Sequence, residues 1–358
     1  MFCTQPANHM DVLVENQHVF IQPCNVWKGK MYAIDEYKKV KAELVTTLKD
    51  GYHYPGCRVC FDEDKKNIRS RREAQNEFCT DNKLALDKIQ SLGVRYGTLC
   101  NSKCMVCSVD RSSSWLSDSV KLGYEVLDKY RFKKNLLPGM DIFFENFDLG
   151  DLRYVEFHGG EPLMQSYPLE FLQRVDKLEN LVVKFNTNLT ILPSPELTKL
   201  LDKCKRVDML ISVDDVDRRY EILRYPGKWE VLEKNIQKVK EQGYRLSAFN
   251  VLSSLNIFYA LEFYKWATRK FGREVHSQFA IDRDILDISY LNQTAKDKVL
   301  DKIKNINGRI FDSIRQKLYL DSGDSTEEMK KYILDLDKIR NTNYPGTFKE
   351  WWTILNTK

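Results

Sequence analysis

From Leu92 onward the chain repeats one pattern: a short run of apolar or alternating residues, then a longer stretch with apolar residues three and four positions apart. The short runs predict strands and the longer stretches helices. Strands are expected at 92–99, 152–158, 181–190 and 207–216, from Arg245 through RLSAFNVL, and at 274–281. ELTKLLDKC, WEVLEKNIQKVKEQG and NIFYALEFYKWATRKF predict helices between them. Alternation of this kind implies a parallel sheet with right-handed crossovers. After Ile288 the pattern turns helical, and Val299, Ile303, Ile306, Ile310, Ile314 and Leu318 recur as a core stripe. Trp351 and Trp352 are expected to bury against the strands. Before about Ser70, aromatic residues and Pro/Gly turns predict short strands and loops. The charged stretch 65–82, KKNIRSRREAQNEFCTDN, predicts a solvated helix face, with Cys79 as a lone buried or surface thiol.

Composition adds limits to this outline. At 358 residues the chain is long enough for one large domain and a smaller one. The net charge of +5 is spread along the chain, without the basic block of a dedicated nucleic-acid binder. The start, MFCTQPANHMDV, lacks the basic and apolar regions of a signal peptide, and no run is long enough to span a bilayer. A cytoplasmic protein is expected, in which nine cysteines serve metal or stay reduced.

The cysteines carry the candidate chemistry. In LGVRYGTLCNSKCMVCSVDRSSSW, Cys100, Cys104 and Cys107 are spaced C-x3-C-x2-C on the loop leaving the first expected strand. Structural metal sites fill every position with protein, whereas three ligands leave one open for reactive chemistry. The C-terminal ends of parallel strands are also where barrel enzymes place their active sites. A second mark, VEFHGGEP, ends the next strand. Gly159 and Gly160 let the backbone approach a ligand, Glu161 supplies a carboxylate and Pro162 stiffens the exit. Ser112, Ser113 and Ser114 are expected to cap the following helix.

Together the cysteine loop and GGEP resemble the signature of the radical S-adenosylmethionine (SAM) enzymes. The resemblance implies an α/β fold with a partial (β/α)6 TIM-like barrel. It also implies a [4Fe-4S] cluster on Cys100, Cys104 and Cys107, whose open iron chelates SAM. Reductive cleavage of SAM would give a 5′-deoxyadenosyl radical that takes hydrogen from a substrate, with an electron donor such as flavodoxin or ferredoxin. By the same resemblance Gly159, Gly160, Glu161, Pro162, Ser212, Asp214 and Arg224 contact the cofactor. Asn188 and Asn250 stand at comparable strand ends, as cofactor contacts or as turn formers, and His158 lines the pocket or ends its strand.

Cys3, Cys24, Cys57 and Cys60 precede this region, the last two as C-x2-C in YPGCRVC. Four thiolates can close a metal site completely. The segment resembles the twitch or SPASM module, which implies a second, auxiliary [4Fe-4S] cluster; zinc or free thiols are the alternatives. In that module the turn before the second cysteine group is Asn-Gly, where this chain has Glu15-Asn16-Gln17-His18. His9 and His18 are spare ligand candidates, or packed and surface residues. The expected domains are a cysteine-rich module at 1–83, the barrel at 84–290 and a helical extension at 291–358. DRRYEILRYPGKWE and LDKIRNTNYPGTFKEWWTIL resemble stretches of phage and metagenomic members. The resemblance makes a peptide or protein the leading substrate, a nucleobase or nucleotide the alternative, and a non-catalytic iron–sulfur or zinc protein the third reading.

Overall fold

The computed structural model describes residues 2–15, 18–65, 70–124, 141–272, 275–280, 283–320 and 322–357. The chain is an α/β protein with an eight-stranded, mostly parallel sheet, consistent with a partial barrel. Its contacts divide it into two compact units. One comprises Met1–Leu99, Lys133–Asn186 and Pro193–Asp208; the other comprises Cys100–Phe132, Thr187–Leu192 and Met209–Lys358. These cut across the expected boundaries after residues 83 and 290.

In the first unit the strands are β1 (His9–Glu15), β2 (His18–Gln22), β3 (Ser91–Tyr96), β4 (Tyr154–His158) and β5 (Val182–Thr187), in the order β2-β1-β3-β4-β5. β1 pairs antiparallel with β2 but parallel with β3, and β3-β4 and β4-β5 are parallel. The expectation of short strands and loops before Ser70 is therefore only partly met. β1 joins the main sheet, and the helices Ile34–Lys49 and Arg58–Lys65 stand where loops were expected. The first of these buries Tyr37, Leu44 and Leu48 on one face and turns its Lys and Glu residues outward. Asn16 and Gln17, in the turn compared above, lie outside the described residues.

The charged stretch does form a helix, Arg71–Asp81, with Ser70 Oγ accepting from the Glu73 amide at its start. It is not simply solvated. Arg72, Gln75 and Cys79 are buried, and Arg72 pairs with Asp64 at 2.8 Å. Aromatic packing fills the other side of this unit, where Phe157 meets Phe171 and Tyr167 edge-on at 5.6 Å.

The second unit holds most of β6 (Arg206–Ser212), with β7 (Arg245–Leu252) and β8 (His276–Phe279), in the order β6-β7-β8. All six strands expected from the sequence are present; Arg245–Leu252 matches its run and the other five are shorter than theirs. The ends of the 274–281 run, Glu274 and Ile281, lie outside the described residues. Helices Gln293–Ile303, Arg309–Leu318, Thr326–Arg340 and Lys349–Leu355 follow. Val299, Ile303, Ile314 and Leu318 are buried in one core with Trp115, Leu252 and Trp351, and Ile306 and Ile310 pack partly buried against it. Each large apolar side chain buried there contributes about 1.5–3 kcal/mol. Trp351 stacks on Phe258 and donates its indole N–H to the Ser254 carbonyl at 2.9 Å, while Trp352 stays half-buried. No helix among the described residues is long and apolar enough to cross a membrane.

Candidate active site and a second thiol group

In the second unit, the loop carrying Cys100, Cys104 and Cys107 is held from several sides. The Lys103 amide donates to the Tyr225 carbonyl at 2.6 Å and the Met105 amide to the Leu223 carbonyl at 2.7 Å. The residues flanking Cys104 are thus fixed to the residues flanking Arg224. Trp115 Nε1 donates to the Cys104 carbonyl at 2.9 Å, and the Tyr332 hydroxyl donates to the Met105 carbonyl at 2.5 Å. Ser112 Oγ donates to the Ser102 carbonyl and Ser114 Oγ to the Cys100 carbonyl, both at 2.6 Å. The serine cluster therefore braces the cysteine loop. The expected capping is not made, for Ser114 stands at the N-cap of Trp115–Lys121 without a side-chain cap bond.

Asn188 serves the same loop. Its Nδ2 donates to Asn101 Oδ1 at 2.9 Å and Ser102 Oγ at 3.0 Å and approaches Cys100 Sγ at 3.9 Å, while its Oδ1 accepts from the Thr190 amide. Asp214 is buried, accepts from the Val251 amide at 2.8 Å and pairs with Arg224 Nε at 2.9 Å. Arg224, also buried, turns Nη1 to Cys104 Sγ at 3.6 Å. Asn250 Nδ2 donates to the Val213 and Asp214 carbonyls, which makes it a turn former. Ser212 ends β6, half-buried.

None of the three sulfurs is in a disulfide. Burial first, then the Cys104 and Cys100 thiols beside it, push Cys107 up to about 12. Burial also raises Cys104, against the Arg224 guanidinium, which lowers it. Three thiols on one loop, two of them with N–H groups aimed at their sulfurs, are of the chemistry that suits an iron–sulfur cluster. Among the described residues no three His, Cys, Asp or Glu converge as around a single ion. A cubane takes one thiolate at each ligated corner, so its ligands need not point at one spot.

GGEP belongs to the first unit. Gly159 and Gly160 have φ of +89° and +56°, and a Cβ on Gly160 would lie 2.2 Å from the Leu99 carbonyl oxygen. The Glu161 amide donates to that same oxygen at 2.7 Å. The close backbone approach expected at a ligand is thus made to Leu99, the residue before Cys100. Glu161 Oε1 accepts from the Leu163 amide at 3.1 Å, and Pro162 opens a short 3-10 turn, Pro162–Met164.

The first unit also gathers the four N-terminal cysteines, which are free and half-buried or buried. Burial raises Cys3 to about 11, and Cys60 acts on it. Burial raises Cys57 to about 12, with Cys3 and Cys60 adding to it. Cys24 is pushed far up by burial, then by Asp11, Cys3 and Cys60. Cys79 is buried and accepts from Asn8 Nδ2 at 3.3 Å. Here too, no three His, Cys, Asp or Glu among the described residues converge as around a single ion.

A polar row beside them was missed from the sequence. Asp11, Gly93, Glu156 and Lys184 align across β1, β3, β4 and β5. A Cβ on Gly93 would lie 1.8 Å from Asp11 Oδ1, so the glycine lets that carboxylate cross β3 and reach His158 Nε2 at 3.5 Å. His9 Nε2 lies 3.4 Å from Asp11 and its Nδ1 shares a 2.7 Å hydrogen bond with Ser91 Oγ, so His9 is a packed residue; His18 is exposed. Burial works to raise Asp11, but His9 and His158 hold it well below the usual carboxylate range. Glu156 lies 3.0 Å from Lys184 and accepts from Asn186 Nδ2 at 2.9 Å. Burial opposes its ionisation, yet Lys184, Arg71 and His158 lower it to about 2. A glycine inside an otherwise apolar strand, Leu92-Gly93-Val94, was the one sequence signal of this row.

Residues 94–266 match the Radical SAM superfamily. That segment makes up just under half of the chain. A comparison with curated proteins finds no match. Among solved structures the chain is similar to native anSMEcpe with bound AdoMet and Cp18Cys peptide, at 18% identity and a TM-score of 0.38, covering 54% of this chain and 51% of that one. It is also similar to Streptococcus suis SuiB bound to S-adenosylmethionine, at 13% identity and a TM-score of 0.39, covering 86% and 70%. The chain spans about half the length of anSMEcpe.

Proposed function

We propose that the chain is a radical SAM enzyme whose [4Fe-4S] cluster is ligated by Cys100, Cys104 and Cys107. The observation that carries this is the braced loop, which holds three cysteines outside any disulfide, with Cys100 and Cys104 acting on Cys107, within the segment that matches the superfamily. When bound and reduced, the cluster supplies the electron that cleaves SAM to methionine and a 5′-deoxyadenosyl radical. This chain's residues do the rest. Asn188, Ser112, Ser114 and Trp115 fix the loop backbone, so the thiols are positioned before metal arrives. Buried thiols with raised pKa must release protons to bind metal, so loading is favoured at higher pH. Gly159, Gly160, Glu161, Pro162, Asn188, Ser212, Asp214 and Arg224 are the proposed cofactor-binding residues, the last two acting from behind Cys104.

Cys3, Cys24, Cys57 and Cys60 are the proposed ligands of a second group, an auxiliary [4Fe-4S] cluster or zinc. The proposed substrate is a peptide or protein, and the proposed electron donor is a flavodoxin or ferredoxin. The test is anaerobic reconstitution with iron and sulfide, a metal count, and an assay for 5′-deoxyadenosine after reduction with SAM. About eight irons per chain with product supports two cubanes, and about four with product leaves zinc or free thiols at the second group. Folded protein that neither binds iron nor cleaves SAM overturns the reading.

A further inference from the structure

We propose that Arg224 is a positioning residue that sets the reduction potential of the group ligated by Cys104, holding it more positive than the three thiolates alone would. The inference rests on the reading of Cys104 as a cluster ligand and goes beyond it, because it gives Arg224 an electrostatic role at the sulfur. The backbone makes the assignment. With Leu223 and Tyr225 accepting hydrogen bonds from Met105 and Lys103, Arg224 is registered opposite Cys104. Its side chain is buried, Nε is taken by Asp214 at 2.9 Å, and Nη1 reaches Cys104 Sγ at 3.6 Å. Arg340, which pairs with Asp118 at 2.8 Å, is a second cation acting on Cys104.

The physics follows from charge and burial. Reduction adds one negative charge to a cluster already carrying thiolates. A fixed guanidinium against one of those sulfurs stabilises the reduced form more than the oxidised one, and hydrogen bonds to cluster sulfurs act in the same sense. The effect is larger in a buried site than in water, because solvent does not screen it. Asp214 holds the guanidinium in place and offsets part of its charge, so removing Arg224 also leaves Asp214 as an unpaired buried anion beside Cys104. Both changes push the potential the same way.

The test needs no substrate. The full chain and its Arg224→Gln and Arg224→Lys variants are reconstituted anaerobically, their iron counted, and their midpoint potentials measured by dye-mediated titration followed by electron paramagnetic resonance. Arg224→Gln with full iron should shift to a more negative potential by at least a tenfold change in the reduction equilibrium, about 59 mV for one electron. Arg224→Lys, which keeps the charge without the fork, should recover part of the shift. An unchanged potential in Arg224→Gln with full iron overturns the proposal. Should the Gln variant fail to retain iron, Arg224→Met fills the buried volume without charge and is judged by the same two outcomes. A wild-type chain that is folded but binds no iron overturns the cluster reading itself, and this inference with it.

Discussion

The molecule gathers its candidate metal thiols in two different ways. In the second unit, Cys100, Cys104 and Cys107 lie on one loop that distant residues brace through its backbone, and an arginine faces one sulfur. In the first unit, Cys3, Cys24, Cys57 and Cys60 come from separate turns and helix ends, and the first charged group acting on Cys24 is the carboxylate of Asp11. A contiguous motif needs the fold only to hold it still, whereas a dispersed group exists only once β1, β2 and the helices after them have assembled. The loop should therefore lose function in single steps when a thiol is removed. The dispersed group should couple metal content to the stability of its whole unit.

The largest effect that tests this contrast is Cys104→Ala. It should abolish 5′-deoxyadenosine formation and reduce iron by one cluster, with metal at the four-thiol group retained; simultaneous loss of both metals would erase the distinction. Cys24→Ser comes next. It should remove metal from the dispersed group and lower the melting temperature of the metal-loaded protein, while iron at the loop persists, as metal analysis and calorimetry will show.

Gly160→Ala sharpens the comparison from the side of backbone geometry. With φ at +56° and the Leu99 carbonyl 2.2 Å from the new Cβ, it should cost about 3 kcal/mol and disturb the chain entering Cys100. The readouts are denaturant midpoint and SAM cleavage. Glu156→Gln reports on the charged row of the first unit. The native Glu156 carboxyl titrates at about 2 against an ordinary 4.5, so its contribution is fully present above pH 4.5 and lost as pH falls from there towards 2. The variant should be less stable at neutral pH by on the order of 3 kcal/mol, with a flatter stability profile across that window. Ser114→Ala, which deletes one hydrogen bond to the Cys100 carbonyl, should cost only about 1 kcal/mol and leave iron content intact.

Much of this was legible in the chain. The six strands from Leu92 onward could be found because their sides are covered by apolar packing, and the three-cysteine loop because its members are three and four residues apart. The helical stripe from Val299 to Leu318 was equally plain, since its period survives the charged residues between. β1 was harder to place in the main sheet, because the polar residues His9 and Asp11 alternate with Met10, Val12 and Val14, and inward-facing charge breaks the apolar pattern of a parallel strand. The Ile34–Lys49 helix was hidden because only three of its residues are buried. The sequence marks Arg224 only through the family resemblance, because its partner sulfur stands 120 residues away, a distance no local pattern spans. Cys3, Cys24, Cys57 and Cys60 stand out in the sequence by their number, while nothing local marks the Asp11 carboxylate that acts on Cys24.

The bracing of Met105 by Tyr332 has a consequence for how the protein is made. The hydroxyl that fixes the cysteine loop comes from a residue 227 positions later, and Arg340, which pairs with Asp118, from one 222 positions later. A ribosome producing this chain releases the three thiols long before their clamp exists. The last two of the loop's braces arrive with Thr326–Arg340, and a nascent chain stopped before Thr326 would present Cys100, Cys104 and Cys107 without the Tyr332 and Arg340 contacts.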